Sequence, residues 1–135
     1  MKQSLPGIVS VSRVICSSLA PNITEQFLSH IPVSLPALTV RMELCGNASC
    51  EAEQEYVNGG YTEKTVLQFH TTEDISLFPP LAFVVTDAQG QSFIIGTRER
   101  PYPMVEVTKV IDKESNINSV KVTFMRRKSL VPCVI

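Results

Sequence analysis

The apolar residues of this chain recur mostly at every second position, inside short pieces cut by proline and glycine, and that period belongs to strands. The clearest piece runs from Leu38 to Leu44. There Leu38, Val40, Met42 and Leu44 fall on one face, while Thr39, Arg41 and Glu43 fall on the other, as a half-buried antiparallel strand requires. Residues 119–125 repeat the pattern, with Val120, Val122 and Phe124 alternating with Lys121, Thr123 and Met125. Between Thr62 and Thr71 the same spacing puts Thr65, Leu67 and Phe69 together.

Two runs differ in kind. Leu81 to Thr86 and Ser92 to Gly96 are apolar on both faces, and Asp87-Ala88-Gln89-Gly90 between them has the composition of a tight turn. They predict a central hairpin covered on both sides. A second hairpin is expected around Asn58-Gly59-Gly60, joining a strand through Glu53, Glu55 and Val57 to the one that ends near Thr71. A third joins 104–111 to 119–127 through a polar loop from Asp112 to Asn118. With residues 8–15 added, the chain predicts a mainly β fold, an antiparallel β-sandwich or small barrel of about seven to eight strands. One short helix is expected, capped by Asn22, with Glu25 completing a capping box, Ile23, Phe27 and Leu28 as its apolar stripe, and Pro32 ending it.

Neither a repeat nor a linker divides the 135 residues, so residues 1–135 are read as one β-rich domain. Its net charge of -1 lacks the basic excess of a general nucleic-acid binder. No apolar run approaches the roughly 18 residues of a spanning helix, so no membrane partner is expected. Arg13 and the serines at 10, 12, 17 and 18 interrupt the N-terminal apolar run, which is read as mature protein rather than a secretory signal. Cys16, Cys45, Cys50 and Cys133 are too sparse to staple a fold, and they are expected as free thiols in a reducing compartment. Cys45 and Cys50 could close a small disulfide or supply two thiolates to a metal, but no second ligand pair lies near them in sequence.

Catalysis finds little to work with. Only His30 and His70 could serve a Ser or Cys nucleophile, and both sit where a structural histidine belongs, at the end of a helix and of a strand. Glu51, Glu53 and Glu55 line one strand face, which reads as a solvated surface rather than a calcium loop. Phosphate loops, HExxH and paired carboxylates are missing. The chain is therefore expected not to be an enzyme, to take no cofactor or metal, and to have no small-molecule substrate.

The charge is unevenly placed. Residues 1–97 hold 4 basic and 9 acidic side chains, a net of -5, while residues 98–135 hold 8 basic and 4 acidic, a net of +4. Arg98, Arg100, Arg126, Arg127 and Lys128 dominate the basic part and are expected to form one interface patch if the last strands lie together. Such a patch suits the acidic face of a neighbour in head-to-tail assembly, or nucleic acid.

The pieces CGNASCEAEQEYVNGGYTEKTVLQFHTTEDI, LAFVVTDAQGQSFIIGTRERPYPMVEVT and KSLVPC, spanning roughly Cys45 to Cys133, resemble a group of small uncharacterised proteins encoded in prophages of gut bacteria. The likeness lies in a Gly-Tyr-Thr-Glu-Lys hairpin, a Val-Thr-Asp turn, an Ile-Gly-Thr-Arg-Glu strand end followed by prolines, and a late Pro-Cys. It implies a structural subunit of a phage tail, neck or related particle, made in the bacterial cytoplasm and then built into the virion. Self-association or contact with other virion proteins follows as the mode of action. The alternative is a host-encoded β-sandwich binding module for a protein or carbohydrate ligand. No functional residue carries over from the group.

Overall fold

The computed structural model describes residues 2–4, 7–34, 39–44, 48–57, 60–72, 75, 79–100, 102–111 and 116–133. Its strands are β1 (Lys2–Ser4), β2 (Ile8–Ile15), β3 (Val40–Met42), β4 (Ser49–Val57), β5 (Gly60–Thr71), β6 (Leu81–Asp87), β7 (Ser92–Ile95), β8 (Met104–Ile111), β9 (Asn116–Arg126) and β10 (Val131–Cys133). A 3-10 turn over Cys16–Ser18 and one helix, α1 (Ile23–Leu28), follow β2. The strands form two fully antiparallel five-stranded sheets, ordered β1-β4-β5-β9-β8 and β10-β7-β6-β2-β3. The expected sandwich is the observed fold, and neither sheet closes into a barrel.

The first sheet is built by the two-residue period. Cys50 and Ala52 on β4 stand opposite Leu67 and Thr65 on β5, which in turn face Val122 and Phe124 on β9, and all six are buried. Residues of the other parity, among them Glu53, Lys64 and Met125, form the outer face. The second sheet carries apolar side chains on both faces. Phe83, Val85, Phe93 and Ile95 fill the core between the sheets, whereas Ala82, Val84 and Ile94 belong to a second core on the far side, with Cys16, Leu19, Ile23 and Val33. Residues 16–33 therefore act as a third layer, and the β6–β7 hairpin lies inside its sheet between two layers, as its sequence requires. Gly96 ends β7 at φ +136°, and a Cβ there would collide with Ala82.

Among the described residues ten strands stand where about seven to eight were expected, because β1 and β10, three residues each, are too short to display a period. Of the expected 38–44 strand, Leu38 lies outside the described residues, and among those described the pairing runs over Val40–Met42. Met42 is buried there and Leu44 packs on the core, but Val40, of the same parity, lies open opposite Arg13 at the strand end. The β8–β9 hairpin forms as expected, although β9 begins at Asn116, inside the expected loop. Val57 pairs with Gly60, and the turn residues Asn58 and Gly59 lie outside the described residues.

The expected capping box is not made. Asn22 adopts φ 56° and ψ 41° with no side-chain cap, and its N–H instead donates to the Glu99 carboxylate, at 3.1 Å to Oε1. An incoming carboxylate from a distant loop satisfies the donor that Glu25 was expected to bind. At the other end His30, at φ 63°, donates its N–H to the Phe27 carbonyl at 3.0 Å, and Ile31 N–H reaches the Gln26 carbonyl at 2.8 Å. These are the two bonds of a Schellman ending, with a histidine in the left-handed position that usually takes glycine.

Candidate functional site

The basic C-terminal segment was expected to supply an interface, and its local structure is set by one acidic residue. Glu63 shares the parity of Thr65, Leu67 and Phe69, so β5 turns its side chain inward, where it is only 5% exposed. Its Oε1 accepts hydrogen bonds from Ser129 N–H at 2.9 Å, Leu130 N–H at 2.8 Å and the Ser129 hydroxyl at 3.2 Å. The Lys128 ammonium stands 3.2 Å from Oε2, and the Ser129 hydroxyl also shares a hydrogen bond with Thr65. Residues 127–130 carry the chain from the first sheet to the second, and a buried carboxylate with four donors holds that crossing in place.

Lys128 is thereby drawn into the fold. Its ammonium lies 5.5 Å from the centre of the Phe27 ring, and its carbonyl accepts from the Thr24 hydroxyl at 3.3 Å, which ties α1 to the crossing. Arg126 is also committed. Its parity follows Val120, Val122 and Phe124, and its Nη2 donates to the carbonyls of Glu99 at 3.1 Å and Arg100 at 2.8 Å, while its buried Nε finds no partner. The Thr97 hydroxyl donates to the Glu99 carbonyl at 2.8 Å. These bonds fix the 97–100 loop, which leads into β8 with Arg98 and Arg100 exposed and the Arg100 guanidinium 6.0 Å above the Tyr102 ring.

Arg127 points elsewhere. It is exposed and lines a shallow cavity of about 450 Å³ with Leu28, Gly60, Tyr61 and Thr62. The five basic residues are thus near one another along the chain but fill three roles. Arg126 and Lys128 hold the fold, Arg98 and Arg100 decorate the loop before β8, and Arg127 faces the β4–β5 hairpin.

The remaining candidates are quieter. His30 and His70 are exposed, His70 on the outer face opposite Ser119. Glu51, Glu53 and Glu55 share the outer face of β4, as their alternation implies. Cys16, Cys50 and Cys133 are free and buried, and Cys45 lies outside the described residues. Burial pushes the Cys16 thiol up to about 11 and those of Cys50 and Cys133 up to about 12, so all three are protonated and poor nucleophiles at neutral pH. Among the described residues no three His, Cys, Asp or Glu side chains cluster as metal ligands would. No helix among them is long and apolar enough to cross a membrane.

Sequence reading passed over Glu63, Tyr56 and Tyr61. A signal for each was present. Glu63 and Tyr61 continue the inward parity of Thr65, and Tyr56 continues that of Cys50 and Ala52, past the point where the core ends. No family model, no curated protein and no solved structure matches the chain.

Proposed function

We propose that the chain is a structural subunit of a phage or prophage particle, in the tail, the neck or a related assembly, and that it acts by protein–protein assembly rather than catalysis. The observation that carries this reading is β8. It is an eight-residue strand at the edge of its sheet, with no described strand on its outer side, and the loop entering it presents Arg98 and Arg100. Long open edges are docking lines for a neighbour's backbone, and adjacent charges orient the approach. The negative half of the chain, the positive half and the resemblance to prophage proteins support the same reading. Partners are then further copies or other particle proteins. The chain would be made in the bacterial cytoplasm and end in the virion.

Light scattering across a concentration and salt series, with negative-stain images, tests it. Association is expected to weaken as salt shortens the screening length below about 10 Å. Arg98→Glu with Arg100→Glu should weaken association several-fold while leaving the melting temperature nearly unchanged, since exposed charges contribute little to folding. A protein that stays monomeric at high concentration and low salt, and captures no tail or neck protein encoded beside it, belongs instead with the binding modules.

A further inference from the structure

Four of the exposed large apolar side chains lie together at one end of the molecule. Tyr56 and Tyr61, 65% and 70% exposed, face each other across the β4–β5 hairpin with ring centres 5.1 Å apart. Tyr61 shares the Arg127 cavity with Leu28, and Leu28 also lines a second cavity of about 400 Å³ with Ile31. The apolar surface is therefore continuous from the hairpin across the end of α1. Tyrosine, arginine and aliphatic side chains around shallow hollows are the composition of interface hot spots.

Charge decides what fits there. Arg127 stands in the wall of the Leu28 cavity, and Glu25 is exposed one helical turn before Leu28 on α1. Among the described residues neither has an ion-pair partner. An apolar surface bordered by one free cation and one free carboxylate complements itself when the two copies are related by a two-fold axis, because each charge then meets its opposite.

We propose that this surface binds a second copy of the chain about such an axis, with Leu28 and Tyr61 at its centre and Arg127 of each copy against Glu25 of the other. The proposal rests on the assembly reading only in taking a second copy as occupant, and it places the contact away from β8 and its arginine loop. Sedimentation equilibrium of the whole chain tests it through a charge exchange. Arg127→Glu alone, or Glu25→Arg alone, sets like charges against each other and should weaken the dimer at least tenfold. The double variant restores opposite charges in reversed positions and should return the dimer toward its original strength. Thermal melts confirm that each variant is folded. The proposal is overturned if the unaltered chain is monomeric at every concentration, if the single variants dimerise as well as it does, or if the double variant fails to recover. Dimers indifferent to these changes would leave the assembly reading standing and remove only this interface. A chain that is monomeric yet captures particle proteins would do the same.

Discussion

Glu63 shows how one side chain can bind two sheets. Its carboxylate satisfies the Ser129 and Leu130 N–H groups, the Ser129 hydroxyl and the Lys128 ammonium, all contributed by the crossing between the sheets. Removing it leaves the buried Ser129 and Leu130 N–H groups without their acceptor, and each unsatisfied group costs about 1–3 kcal/mol. Glu63→Ala should therefore destabilise the fold by about 3 kcal/mol or more, whereas Glu63→Gln, which keeps an acceptor oxygen, should lose less. Urea melts of both variants check the order. The inward position was legible by counting from Thr65, but the partners were not, because Ser129 lies 66 residues away and nothing local links them. The cysteines make a second prediction. Their folded pKa values of about 11 to 12 lie above the ordinary thiol value of 9.0, so the fold favours the protonated form. That contribution is complete below pH 9, and it fades as pH rises from 9 through 11 to 12, where the unfolded chain gains by ionising. Melts between pH 8 and 11 should show the loss, and Cys50→Ala should make it shallower.

At the scale of elements, the hairpin of β6 and β7 was the most legible part of the chain. Apolar residues on both faces demanded two covering layers, and the first sheet and residues 16–33 supply them. Val84→Asp or Ile94→Asp places a charge in the second core, where Val84 is 6% and Ile94 1% exposed. Either change should cost several kcal/mol and abolish the cooperative melt, followed by circular dichroism. If both variants melt normally, the third layer is too loose to matter. Helix α1 was legible in place but not in its bonds. Asn22 and Glu25 have the spacing of a capping box, yet Asn22 enters the left-handed region and Glu99 takes its N–H. Tertiary contact overrides a local motif when the competing acceptor is held by a fixed loop, as Glu99 is between Thr97 and Arg126. The short strands β1 and β10 were illegible for a different reason, since three residues give one alternation at most.

Across the whole molecule, the sandwich followed from periodicity, but the distribution of its charges did not. The excess of basic residues after position 97 predicts a patch, and the fold divides it by drawing Arg126 and Lys128 inward. Parity held the clue for Arg126, which shares the face of Phe124, and only the crossing from the first sheet to the second explains Lys128. That crossing also sets a timetable for biosynthesis. Leu130 belongs to the first core, Val131 and Cys133 to the second, and β10 completes the edge beside β7. Neither core is complete until residues 130–133 have been translated and have cleared the ribosome. Before then the hairpin of β6 and β7, apolar on both sides, waits on a nascent chain with part of its cover still unmade. A nascent chain held short of residue 130 should therefore bind chaperones or aggregate more readily than the released chain.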